Sequence, residues 1–321
     1  LGTVTDVTDP EFFIYDISTP SSPTYLGAFD VGADVNDIYV DGNYAYLATT
    51  GNAAELDILD ITTKTSPSRL TSLDLSKTND AYSLEKSGDY VYLGRDKGSA
   101  DELYAIDVST PGSPSVSASF DTSLDLVDLA IGGSYLYAAS DDNGGEFLVI
   151  DISTPSTPSL STTLNLPGNT NATSVDVFGS IAVVGRALSS EAEISVIDIS
   201  TPASPSVSGT GEVADDVNAI SLESATRAHV GTDLATEEYQ HWDLTNPASP
   251  TRDGFYNLGG DGNAIVFSGS NAHVGTENTS LELQILGPSA LADYAAEGTF
   301  TSQAFDSGSA STAWDTIEWT E

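Results

Sequence analysis

The residues of this chain that could do chemistry are mostly carboxylates. Asp and Glu number 48, against 9 Lys and Arg and 3 His, over 321 residues. One set of polar residues stands just before or at the start of short apolar-alternating segments. It comprises Asp34, Asn36, Asp37, Asp80, Asp125, Asp128, Asn171, Asp216, Asn218, Asp261 and Asn263. If those segments surround a common axis, the set forms a collar around one mouth of a channel. An oxygen-only collar suits a hard cation such as calcium. The same short side chains also cap loops and satisfy strand-end backbone groups. No contiguous D-x-D-x-D-G calcium loop is present.

A second set recurs with a fixed sequence around it. Asp16, Asp60, Asp107, Asp151, Asp198 and Asp243 are each followed closely by Ser or Thr and then Pro, as in DISTPSSP from Asp16. This is turn chemistry: the carboxylate accepts a backbone N–H two residues on, and Pro ends the strand. Spread over separate repeats, these groups are not expected to converge on one substrate. His229 and His273 stand where other repeats carry Tyr46, Tyr92 and Tyr137, and His241 stands at an apolar position. They read as packing residues, and a zinc site would need three or four converging ligands. The absence of Cys excludes disulfides and thiolate metal sites. G-x-S-x-G is absent, and the glycine-rich stretch 259–263 has no helix after it to cradle a phosphate. No catalytic residue is assigned, and no enzymatic activity is expected.

The elements that must position these groups are strands. Between the aspartate turns, residues 36–40 (NDIYV), 44–49 (YAYLAT), 55–61 and 69–75 form four short runs of alternating or β-branched character. Gly, Asn, Asp and Pro punctuate them. Four strands in about 45 residues, repeated in tandem, is the signature of a propeller blade. The aspartates are spaced 44, 47, 44, 47 and 45 residues apart, and a decayed copy begins at Glu282. The expected fold is therefore an all-β, seven-bladed propeller of four-stranded blades. Inner strands are clear six times only, so the segment 298–321 is expected to close the ring by pairing with the N-terminal blade. Residues 1–287 read as propeller repeats. Residues 288–321 read as a tail, either closing strands or the start of a further β module.

The sequence V/I-I/L-D-I/V-S-T-P-x-x-P, best seen from Leu148 to Pro158, closely resembles the LVIVD-repeat proteins of bacteria and archaea. That resemblance implies a propeller, usually exported or at the cell surface, with no assigned activity. The tail, GTFTSQAFDSGSASTAWDTIEWT, also resembles the opening of β-sandwich modules in large microbial surface proteins. The formal net charge of -39 argues against nucleic acid or an anionic membrane as partner. It fits a saline habitat or an extracellular surface that meets calcium. No run approaches the roughly 18 apolar residues of a membrane span. The expected function is a non-catalytic extracellular or cell-surface structural or interaction module. Its expected partners are other surface proteins or copies of itself, joined through terminal strands. The alternative is a ligand- or calcium-binding or enzymatic propeller that uses the collar.

Overall fold

Period-2 alternation becomes β-strand throughout, and no helix forms among the described residues. The computed structural model describes residues 1–4, 9–75, 78–278 and 281–287. An N-terminal hairpin pairs β1 (Phe12–Asp16) with β2 (Thr24–Phe29). The first blade then takes β3 (Val35–Asp41), β4 (Tyr44–Thr49), β5 (Leu56–Asp60) and β6 (Ser68–Leu73). The second takes β7 (Ala81–Ser87), β8 (Tyr90–Arg95), β9 (Leu103–Asp107) and β10 (Ser115–Phe120). The third takes β11 (Leu126–Gly132), β12 (Tyr135–Ser140), β13 (Phe147–Asp151) and β14 (Ser159–Leu164). The fourth takes β15 (Ala172–Phe178), β16 (Ile181–Arg186), β17 (Ile194–Asp198) and β18 (Ser206–Gly211). The fifth takes β19 (Val217–Ser224), β20 (Arg227–Thr232), β21 (Tyr239–Asp243) and β22 (Thr251–Tyr256). The sixth takes β23 (Gly262–Ser268), β24 (Asn271–Thr276) and β25 (Leu283–Leu286).

This corrects the expected blade count. The fold is an all-β propeller of six blades, not seven. Among the described residues, the N-terminal repeat copy contributes only the two-stranded β1–β2 hairpin, flanked beside β1 by a single bridge between Gly2 and Phe12. No inner strand pairs with it among the described residues. The repeated sequence marks a strand-end turn, so counting its copies counts turns. A blade is defined by an inner strand, and inner strands occur six times, as β3, β7, β11, β15, β19 and β23. The segment 298–321, expected to close the ring, lies outside the described residues.

Every pairing within a blade is antiparallel and sequential, so alternate turns share a face. The two-residue hairpins between first and second strands lie on one face with the Asp-Ser-Thr-Pro turns. Gly42 and Gly133 open two of them at φ +60° and +63°, a conformation costly for any residue with a Cβ. The opposite face carries the loops between second and third strands and those leading into each inner strand. Thr50 N–H donates to the Asp34 carbonyl at 3.1 Å and Asp96 N–H to that of Asp80 at 3.1 Å, tying the two loop sets together.

The apolar core lies between blades. Tyr46, Leu56 and Ile58 of the first blade pack with Leu84, Leu93, Tyr104 and Ile106 of the second. The remaining blades repeat the arrangement. Each fully buried Leu or Ile contributes about 1.5–3 kcal/mol. Tyr46, Tyr92 and Tyr137 are buried there too.

Candidate functional site

The inner strands pack side by side in chain order. Register decides what their polar residues face. Asp37, Ser83 and Asp128 occupy the same position, opposite Ala48, Gly94 and Ala139 of the adjoining strands. Each reaches forward to the next blade. Asp37 accepts Leu84 N–H at 2.8 Å, Ser83 Oγ accepts Leu129 N–H at 3.1 Å, and Asp128 accepts Val175 N–H at 2.8 Å. Two residues further along the strand, Asp176 accepts Leu222 N–H at 2.7 Å and Ser221 Oγ accepts Phe267 N–H at 3.0 Å. Five forward links thus join six inner strands. Ser83 Oγ also stands 3.1 Å from Asp37 and 3.2 Å from Asp128, so one hydroxyl of the second blade connects carboxylates of the first and third.

The collar therefore divides into two groups. Asp37 and Asp128 lie within the inner-strand layer. Burial raises the Asp37 pKa, and it pushes Asp128 up to about 7 against its hydrogen bonds. Glu85, beside Asp37 and Asp128, is pushed up to about 8 by burial and by those charges. Asp34, Asp80, Asp125, Asp216 and Asp261 remain in the loops of one face. Asp125 and Asp216 accept N–H groups of Lys97 and Leu188 from the preceding blade. Asn36 and Asn218 reach forward to the carbonyls of Ala81 and Gly262, at 2.7 and 3.4 Å. Asn263 donates instead to Glu277 at 3.2 Å. Asp125, Asp141 and Asp142 converge on this face, with carboxylate oxygens within 4.8 Å of one another. Asp141 is raised to about 6 by burial and by Asp125.

The largest buried charge set was not singled out from the sequence. Glu11, Glu55, Glu102, Glu146, Glu193 and Glu238 open each repeat and are all buried. Each carboxylate accepts the backbone N–H found 20 residues later, from Val31, Leu75, Thr122, Leu166, Val213 and Leu258, at 2.8–3.0 Å. In three repeats the following N–H joins it, from Gly32, Ser123 or Ala214 at 2.9–3.0 Å. Those three residues have positive φ, which turns successive N–H groups toward one anion. After Leu166 comes Pro167, which has no N–H to give. Each glutamate is thus a clamp holding the loop that enters the next blade. Its invariant recurrence at the head of each repeat was the available signal.

Asp16, Asp60, Asp107, Asp151, Asp198 and Asp243 each accept the N–H two residues on, at 2.7–2.9 Å. Those bonds lower their pKa values. They lie on separate blades and do not converge. Of the histidines, His273 faces the Val266 carbonyl at 3.3 Å, whereas His229 and His241 face each other across β20 and β21. Finally, a cleft of about 410 Å³ lies between β3 and β23, lined by Leu1, Gly2, Val35, Ile38, Ile265 and Val266 among others.

The LVIVD repeat family model matches this chain at residues 7–31, 32–74, 79–122, 125–165 and 171–212. No curated protein matches. Among solved structures, a Lactobacillus plantarum protein superposes with a TM-score of 0.74 at 14% identity, covering 87% of this chain and 88% of its own. A Bacteroides fragilis protein described as a candidate 6-phosphogluconolactonase gives 0.75 at 13% identity, covering 91% of each chain. A virginiamycin B lyase from Staphylococcus aureus gives 0.60 at 13% identity, covering 86% of this chain and 90% of its own. At these identities the likeness is one of fold alone.

Proposed function

Because the chain belongs to the LVIVD-repeat family, we propose that it is a non-catalytic structural module of an extracellular or cell-surface assembly, in which copies join through terminal strands. The observation that carries this reading is the apolar cleft between β3 and β23. Every other neighbouring pair of inner strands is joined by a forward hydrogen bond, and this pair is separated by the cleft. Gly2 forms part of its wall, packed so closely on β3 that a Cβ would stand 2.7 Å from Val35. An extended segment suits such a place, because main-chain bonding supplies affinity and alternate side chains fill the walls. Asp315–Trp319 (DTIEW) resembles Asn36–Val40 (NDIYV), each with two polar residues, then Ile, then an apolar residue two places on. The occupant proposed is this segment from a second copy.

Two further observations support a non-catalytic role. The clamp glutamates and the turn aspartates are engaged by backbone N–H groups in the same way in blade after blade. The charge of -39 disfavours close approach of copies until salt screens it, which suits assembly in a saline or calcium-rich exterior. Native mass spectrometry and light scattering on the full chain, at low and at molar salt, test the reading. Expected are concentration-dependent oligomers once charge is screened, lost when the chain is truncated after Gly287. Monomers at every salt and protein concentration would overturn it, as would oligomers that survive the truncation. Protease accessibility on intact cells tests the location.

A further inference from the structure

The repeats supply their own control. Where blades share one plan, a group of departures in one blade that also meet in space marks a local purpose. The fifth blade carries such a group. His229 stands where the first, second and fourth blades have Tyr46, Tyr92 and Val183 and the sixth has His273, but only in the fifth is the residue opposite also a histidine: His241 stands where others have Ile58, Val149, Val196 or Ile285. Asp253 stands at a bulge that is Ser161 or Ser208 elsewhere. The inner strand β19 also has a second register shift, between Leu222 and Ser224, which the other inner strands lack. Its extra residue is Glu223.

These departures meet. His229 and His241 are directly opposed across β20 and β21, with ring centroids 5.2 Å apart. Glu223, His229 and His241 each offer a ligand atom, all within 4.8 Å of one another. His229 is fully buried, its Nδ1 is 2.6 Å from the Tyr239 hydroxyl, and its Nε2 has no hydrogen-bond partner. That Nε2 is 3.5 Å from Glu223 Oε2. Two ligands at 2.0–2.1 Å from one tetrahedral ion stand about 3.3 Å apart. His241 is held from behind by Asp253, whose Oδ1 lies 2.5 Å from Nδ1, leaving Nε2 for the site. A carboxylate behind a histidine fixes the tautomer and makes the other nitrogen a better ligand.

We propose that Glu223, His229 and His241 form a binding site for a zinc-class divalent transition metal, with a fourth position open to solvent. Two borderline imidazole donors with one carboxylate suit zinc over calcium or magnesium. Glu223 is the exposed member, and through it the site reaches solvent. Arg227 Nη1 stands 3.0 Å from His241 Nε2, placing a guanidinium where the metal charge would come. Its side chain is partly exposed and also pairs with Asp253 Oδ2 at 3.9 Å, so metal binding at His241 must displace the guanidinium from Nε2.

Cobalt(II), a spectroscopic stand-in for zinc, tests the site when titrated into the full chain in excess calcium, which occupies hard carboxylate sites. Expected is one equivalent with ligand-field bands of nitrogen coordination, displaced by zinc. Asp253→Asn weakens binding by about 10–100-fold, as loss of an outer partner does. Glu223→Gln weakens it as well, and Arg227→Gln tightens it. Circular dichroism verifies that these solvent-facing variants are folded. Absence of the bands, binding abolished by calcium, or wild-type affinity in both Asp253→Asn and Glu223→Gln would overturn the proposal.

Discussion

Glu193→Ala removes one clamp and tests the scheme of buried glutamates. The carboxylate accepts Val213 N–H at 2.9 Å and Ala214 N–H at 3.0 Å. Hydrogen bonds to a charged group contribute about 1.5–3 kcal/mol each, and a buried N–H left without a partner costs about 1–3 kcal/mol. Val213 is buried, so its N–H cannot turn to bulk water, whereas the Ala214 residue is exposed. Full weight for the first bond and partial weight for the second give a loss of about 4 kcal/mol. Unfolding entropy of about 2.1 cal/mol/K per residue over the whole chain converts this to about 6 °C in Tm. Glu193→Gln keeps an acceptor and loses the charge, and should fall by about half as much. Calorimetry or thermal circular dichroism reads the shift. The neighbouring exposed Glu212→Ala is the control and should stay within about 0.5 kcal/mol of wild type. If Glu193→Ala melts with wild type, or no lower than Glu212→Ala, the clamp reasoning is wrong.

Ala214 has φ +69°, and Ala214→Gly should stabilise the fold by about 0.5–1 kcal/mol, because the left-handed conformation costs a residue with a Cβ about 1–2 kcal/mol; denaturant midpoints measure it. Gly209→Ala should destabilise by about 1–3 kcal/mol, since its Cβ would stand 2.3 Å from the Pro247 carbonyl oxygen of the next blade, and the same melts check it. Glu85, facing Asp37, Asp128 and Asp176, has its folded pKa raised from 4.5 to about 8. A carboxyl raised in this way binds its proton more tightly folded than unfolded, so its contribution is complete below about pH 4.5 and is lost as pH rises toward 8. Tm should therefore fall by several degrees between pH 5.5 and pH 8.5, and Glu85→Gln should flatten that slope; an unchanged slope would refute the assignment.

What could be read from the sequence was local. Strands, hairpin turns and the Asp-Ser-Thr-Pro caps follow from residues within a few positions of one another, as with Asp151 and Ser153. The glutamate clamps stand in the same repeat but bind 20 residues away, a distance no turn rule covers. The collar's two groups differ in a way the sequence does not show. Asn36 stands at the register shift between Val35 and Asp37 and is exposed, reaching the Ala81 carbonyl, while Asp37 next to it is half-buried and binds Leu84 N–H within the inner layer. The blade count failed because the conspicuous sequence belongs to outer turns. His229 and His241 are 12 residues apart, and only the register of β20 with β21 brings them opposite. Aligning the repeats column by column would have shown several departures falling in one blade.

The forward links between inner strands have a direction. In each, the side chain belongs to the earlier blade and the backbone N–H to the later one. A ribosome makes these blades in the same order. Asp37, Asp128 and Asp176 therefore emerge before the groups that satisfy them, and each remains hydrated until its successor arrives. Every new blade completes the one before it. The molecule is vectorial, growing from its amino end with one unfinished layer always at the front.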